Sequence, residues 1–144
     1  MARIAANIYG VREISGIRQA ERKIEMSYDI HFKDPKTGEA IEFDERHLIR
    51  GGTYAIDGTS RAWLNITYNY APFYYQLIDR ENGIRSLYGK SGAEAIPILE
   101  AAIAKLGTYR SGYYWEATPG NAGAALNDLL TLCKMAPHGV LDGD

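Results

Sequence analysis

From Ile24 to Lys33 apolar and polar residues alternate without a break: Ile24, Met26, Tyr28, Ile30 and Phe32 fall on one face, and Glu25, Ser27, Asp29, His31 and Lys33 on the other. A period of two marks a strand with one buried face. Asp34-Pro35-Lys36-Thr37-Gly38 follows, with proline placed to start a turn and glycine able to take positive φ, and Ile41 and Phe43 then resume the alternation. The pattern predicts a β-hairpin from Ile24 to Leu48. A second hairpin is predicted from Thr53–Ile56 through Asp57-Gly58-Thr59-Ser60 into a strand with Ala62, Leu64, Ile66, Tyr68 and Tyr70 on its apolar face and Trp63, Asn65, Thr67 and Asn69 opposite. A third strand pair, Tyr74 to Ile78 and Ile84 to Tyr88, is suggested by the Asn82-Gly83 turn signal.

Beyond Gly89 the apolar period lengthens to that of a helix. Ser91 and Glu94 match a capping box, and Ile96, Leu99, Ile103 and Leu106 form a stripe that ends at Gly107. Pro97 fits only near a first turn, so the regular helix is predicted to begin close to Ala95. A second helix starts with Thr118 as N-cap and Pro119 at the first position, carries Ala122, Leu126, Leu129, Leu130 and Cys133, and stops before Pro137. Strands first and helices last predict an α+β fold: an antiparallel sheet built from hairpins over the N-terminal two-thirds, packed against two C-terminal helices. The opening segment reads two ways, with Ile4 to Tyr9 as an edge strand and Gly16 to Lys23 as a helical turn or an ordered loop.

At 144 residues the chain has the length of a single domain, residues 1–144, with no repeat to divide it. Its net charge of -2, with Lys and Arg interspersed among Asp and Glu, leaves no basic stripe for duplex DNA. Its apolar runs fall far short of the roughly 20 residues a membrane span needs, and the N-terminus lacks the apolar core of a signal peptide. A cytoplasmic protein is expected. Cys133 is the only cysteine, so no intramolecular disulfide or thiolate cluster forms, and its expected role is packing.

The sequence offers little to catalysis. His31, His47 and His138 lie far apart and outside any metal-binding spacing. No serine sits in a nucleophile elbow, and neither Gly51-Gly52-Thr53 nor Gly120-Asn121-Ala122-Gly123 has the spacing of a phosphate loop. Pairs such as Asp44 and Glu45 or Asp142 and Asp144 read as solvated charges. No enzyme activity, metal or cofactor is therefore expected.

Recognition chemistry is better represented. The chain has 11 Tyr against 3 Phe and 2 Trp, and tyrosine joins a flat apolar face to a polar tip. Asn69-Tyr70-Ala71-Pro72-Phe73-Tyr74-Tyr75 gathers aromatics around a proline bend; Arg80, Arg85 and Lys90 follow, and Tyr113-Tyr114-Trp115-Glu116 lies between the two helices. Rings to stack a base, amides to read its edge and guanidinium forks for phosphate are the parts of a nucleotide pocket. The same parts also build an ordinary sheet-to-helix core or a subunit interface.

The segments TYNYAPFYYQLIDRENGIRSLYGKSGAEAIPILEAAIAKLG, YYWEATPGNAGAALNDLLTLCKMAPHGVLDGD and the opening IYGVREISGIRQAERKIE resemble the first class of Thoeris anti-defence proteins, which are phage-encoded sponges for nucleotide signals. The likeness covers most of the chain and contains no catalytic signature. It implies a homo-oligomer, a dimer or higher and up to a hexamer, that binds cyclic ADP-ribose isomers without altering them and allows for cyclic oligonucleotides at separate sites. In a phage-infected cell such a sponge would starve a nucleotide-activated immune effector of its signal. The alternative is a mobile-element interaction module that inhibits a host protein directly.

Local chemistry nominates the ligand residues. Phe73 would stack a purine, or else plug the core. Asn69, on the polar face of its strand, would read a base edge or a ribose hydroxyl, or else remain solvated. Arg85 and Arg110 would hold phosphate, against surface salt bridges worth under about 1 kcal/mol. Asn82 reads first as the turn residue. Arg18 and Arg22 share one face if their segment is helical and would form a second anion site, unless Glu21 and Glu25 pair with them.

Overall fold

The computed structural model describes residues 27–49 and 58–144. The expectations for Ile24 and Met26, for Thr53–Ile56 and for the opening segment with Arg18 and Arg22 lie outside the described residues.

The strands are β1 (Ser27–Lys33), β2 (Glu42–His47), β3 (Thr59–Arg61), β4 (Trp63–Thr67) and β5 (Val140–Gly143). β1 is the centre of a three-stranded antiparallel sheet, flanked by β4 and β5, with Tyr28 opposite Ile66, Ile30 opposite Leu64 and Phe32 opposite Leu141. The alternation in β1 and β4 does what a period of two requires: Tyr28, Ile30, Phe32, Leu64 and Ile66 are all buried on one face. Three helices follow: α1 (Ala71–Leu77), α2 (Gly92–Leu106) and α3 (Pro119–Met135). Leu99 and Ala102 of α2 and Leu126, Leu129, Leu132 and Cys133 of α3 close the core against that face. The fold is α+β, as the sequence predicts.

Several details differ from expectation, among them Thr59 and Ser60, which lie in β3 rather than in a turn, and Tyr68–Tyr70, which leave the strand for a 3-10 helix. The hairpin after β1 forms its turn, with Asp34 Oδ1 accepting from Lys36 N and Thr37 N and Gly38 N donating to Asp34 O. Beyond the bridge of Lys33 to Ala40, however, β2 leaves β1 and pairs with β3 in a separate two-stranded sheet. β4 and β5 occupy both edges of β1, so no hydrogen-bonding edge is left for β2. The helices are also not last, because β5 returns from them to β1.

The third strand pair is absent. Tyr74 to Leu77 belongs to α1, and Gly83–Leu87 is a 3-10 helix. Pro72 at the second helical position starts α1, and the preceding 3-10 helix, Tyr68–Tyr70, ends on Tyr70. This places Tyr70 and Tyr74 at i, i+4, with both rings buried. The Tyr74 hydroxyl donates to Ala122 O at 2.9 Å, satisfying a phenol that would otherwise be costly to bury. Asp79 Oδ2 accepts from Glu81 N and Asn82 N, so the Asp79–Gly83 turn exists but joins two helical segments.

The C-terminal helix boundaries follow the capping rules. The Ser91 side chain accepts from Glu94 N and Glu94 Oε1 accepts from Ser91 N, so α2 begins at Gly92 and carries Pro97 within it, rather than starting near Ala95. Gly107 ends it at φ 75°, a conformation other residues adopt only with strain. Thr118 caps α3 through Asn121 N. No described helix is long and apolar enough to cross a membrane.

Candidate functional site

Among the described residues, four of the six exposed large hydrophobic side chains lie in the segment between α2 and α3. Tyr109, Tyr113, Trp115 and Tyr114 are 84%, 58%, 50% and 42% exposed, although apolar rings of this size gain most from burial. Trp115 sits at the centre of the group, with the Tyr113 and Tyr114 ring centroids each 5.1 Å away, Tyr113 tilted and Tyr114 edge-on.

The backbone beneath these rings is firmly held. Asn121, 2% exposed, accepts from Ser111 N at 2.9 Å through Oδ1, and the two N–H groups of Nδ2 are shared among Ser111 Oγ, Tyr113 O and Glu116 O, each at 3.0 Å. The orientation of its amide follows, since a donor faces the oxygen and three acceptors face the nitrogen. Asn69 Nδ2 donates to Trp115 O at 2.8 Å, and the Tyr70 hydroxyl donates to Tyr114 O. Ser111 Oγ also bonds Glu116 Oε1 at 2.7 Å. Two glycines let the loop lie directly on α3: a Cβ at Gly120 would run into the Tyr109 carbonyl, and one at Gly123 into the Gly107 carbonyl.

This arrangement biases what the loop can offer. The carbonyls of Tyr113, Tyr114, Trp115 and Glu116 all accept bonds from within the chain. The exposed residues of the loop carry the phenols of Tyr109, Tyr113 and Tyr114, which donate and accept, the indole N–H of Trp115, the Glu116 carboxylate, and beside them the Arg110 guanidinium, half-exposed and anchored at one nitrogen to Asp128 at 3.1 Å. Flat exposed rings with hydroxyl and N–H donors suit stacking on a flat partner, with Arg110 as the cation and Glu116 as the anion of the loop.

The nominated residues do not meet in one enclosure. Asn69 and Arg110 belong to the aromatic loop, Asn69 from the 3-10 helix after β4 and not from a strand, with its amide spent on the loop backbone. Phe73 lies on α1, half-buried against the core. Asn82 is exposed at the cap of the second 3-10 helix. Arg85 is enclosed by its own chain: Nε donates to Asp144 O at 2.6 Å, an Nη donates to the Tyr68 hydroxyl at 3.0 Å, and the guanidinium lies 4.9 Å from the Tyr28 ring centroid and 5.5 Å from that of Tyr68. Burial raises the Tyr28 phenol to about 12, with Arg85 opposing the rise.

Two shallow clefts lie elsewhere. One, about 350 Å³, is lined by Asp29, His31, Arg61, Trp63, Gly143 and Asp144, where Trp63 Nε1 donates to Asp29 Oδ1 at 2.5 Å; its carboxylates oppose a phosphate. The other, about 520 Å³, lies between Lys36, His138 and the start of α2. Among the described residues no group of three His, Cys, Asp or Glu could hold a metal ion. The Cys133 thiol is buried in the core, and burial pushes it up to about 12.

The sequence shows the Tyr113-Tyr114-Trp115 run as recognition chemistry without nominating it for the ligand, and it does not single out Asn121, which holds that run in place. The signal was present: at the third helical position, where Glu94 in α2 reaches back to its own cap, α3 carries an Asn between two glycines. No protein-family model, curated protein or solved structure matches the chain.

Proposed function

We propose that the protein is a non-catalytic binding protein that sequesters a cyclic nucleotide signal, a cyclic ADP-ribose isomer or a related cyclic oligonucleotide, as the anti-defence sponges its sequence resembles would do. One observation carries the reading: a loop pinned by side-chain amides and hydroxyls presents Tyr109, Tyr113, Tyr114 and Trp115 to solvent beside Arg110. Rings held in place stack a base without first being ordered, and a guanidinium with phenolic donors receives phosphate or ribose oxygens. Stacking and anion contacts need no general base, so the ligand leaves unchanged.

A sponge must outcompete its effector, which asks for nanomolar affinity, about -12 kcal/mol. A single exposed platform does not enclose a ligand on every side. A homo-oligomer in which a second copy covers the bound molecule supplies the missing contacts, and light scattering at micromolar concentration checks this.

The test is a thermal-shift panel with cyclic ADP-ribose, ADP-ribose and a cyclic dinucleotide, followed by heat release and chromatography. A ligand that binds only the native state raises the melting temperature. The expected result is a shift with one cyclic nucleotide, reduced by Trp115→Ala, and recovery of that nucleotide intact. A hydrolysed product would refute sequestration. Exposed Trp and Tyr are also the residues that anchor protein interfaces, which favours the interaction-module reading as second choice. Capture of one host protein through Trp115, with no shift from any nucleotide, would select it.

A further inference from the structure

We infer that Asn121 is the positioning residue of the aromatic platform: its buried amide touches no ligand, yet sets binding strength by holding Ser111, Tyr113 and Glu116 in one arrangement. The inference rests on the binding reading above for its functional consequence, but its structural part stands independently.

Three observations carry it. Asn121 is the one polar residue among the buried described residues, in a stretch of α3 where Ala122, Ala124, Ala125 and Leu126 are buried apolar neighbours. A buried amide there is tolerated only because its polar atoms are engaged, and all of those partners lie in the α2–α3 loop, with none in the core. Its partners also bracket the rings: Ser111 precedes Tyr113, the carbonyl of Tyr113 is itself bonded, and Glu116 follows Trp115. Fixing both ends and one interior point of a six-residue arc, residues 111–116, leaves Tyr114 and Trp115 little backbone freedom. Tyr70 and Asn69 then hold the two carbonyls between.

An Asp at 121 is the discriminating variant. It has nearly the volume of Asn and keeps an acceptor for Ser111 N, but turns an oxygen toward three oxygens. A residue that merely fills space would lose stability in either variant, through the carboxylate buried in Asn121→Asp and the cavity left in Asn121→Ala, without loosening the loop in the folded protein. A residue that positions the loop through donation would be replaced by neither.

The experiment uses the full chain with Trp63→Phe, leaving Trp115 as the reporter. Acrylamide quenching of Trp115 and amide hydrogen exchange at Ser111 and Tyr113 report loop order, and titration with cyclic ADP-ribose reports affinity. Asn121→Ala and Asn121→Asp should both increase quenching and exchange and weaken binding about tenfold or more, the order expected when several side chains must be ordered on binding. Leu99→Val, a core change away from the loop, should lower the melting temperature and leave quenching and affinity unchanged. Ser111→Ala, which removes one oxygen of the network from the loop side, should loosen Trp115 in the same direction and decides the matter if neither Asn121 variant folds.

Wild-type quenching in Asn121→Asp would overturn the proposal, as would loosened quenching with unchanged affinity. If the wild type binds none of the nucleotides, the binding reading fails by itself. The positioning role is then upheld by loosened Trp115 quenching and overturned by its absence.

Discussion

Replacing Gly123 by alanine sets two known effects against each other. In an ordinary helix interior the change stabilises by roughly 0.5–1 kcal/mol, because glycine loses more backbone freedom on folding. At Gly123 the new methyl would fall inside the carbonyl of Gly107 and within 3.0 Å of Leu106 Cβ. The obstruction is backbone at the end of α2, so no rotamer change relieves it and α2 and α3 must move apart. Overpacking of this kind costs about 1–3 kcal/mol, and backbone displacement belongs at the upper end. The net expectation is a loss of about 2–2.5 kcal/mol, or a fall in melting temperature of about 7–8 °C for a chain of this length. Gly112 is the control, because a Cβ there meets nothing within 4 Å. Gly112→Ala should be neutral or stabilise by up to about 1 kcal/mol. Thermal and urea unfolding followed by circular dichroism measure both. If Gly123→Ala melts at or above the wild type, the close docking of loop and helix described above is wrong.

Other outcomes follow from the same contacts. Ser91→Ala removes the N-cap of α2 and should cost about 1 kcal/mol in urea unfolding. Because Tyr28 rises to about 12 and Tyr74 lies well above its ordinary value, both through burial, the native state favours their neutral forms. That stability is complete below pH 10, the ordinary tyrosine value, and is lost as pH climbs toward 12, so alkaline unfolding should accompany the late part of a 295 nm phenolate titration. Asp34 and Glu94 are held below the usual carboxylate range by backbone hydrogen bonds, so their contribution persists above about pH 4 and fades as pH falls, and acid unfolding of Asp34→Asn and Glu94→Gln should show it reduced. The Cys133 thiol, raised to about 12, should resist Ellman's reagent at pH 8 until the protein unfolds.

Much of the fold was legible because some signals are local. Alternation in β1 and β4 names the buried face, and Ser91, Glu94, Gly107, Thr118 and Pro119 fix helix ends, because each acts through its own neighbours. What escaped depends on partners distant in sequence. Tyr74 to Ile78 and Ile84 to Tyr88 are too short for period to separate strand from helix, and only the i, i+4 pairing of Tyr70 and Tyr74 across Pro72 hints at α1. The pairing of β5 with β1 joins residues over a hundred positions apart, and nothing in Val140–Gly143 announces it. The site divides in the same way. Tyr113-Tyr114-Trp115 is visible as recognition chemistry, whereas Asn121 looks like any helix-start residue until the loop is seen folded over it. Arg85, nominated as a phosphate holder, is instead enclosed by Tyr28, Tyr68 and Asp144, contacts that no spacing along the chain reveals.

The proposed binding surface is the aromatic loop around Trp115. Isothermal titration of cyclic ADP-ribose into wild type and Trp115→Ala tests it most directly. The prediction is saturable binding that Trp115→Ala weakens by about 1–3 kcal/mol, the range for loss of one stacked base, with melting temperature unchanged. Equal affinity in the two proteins would contradict it.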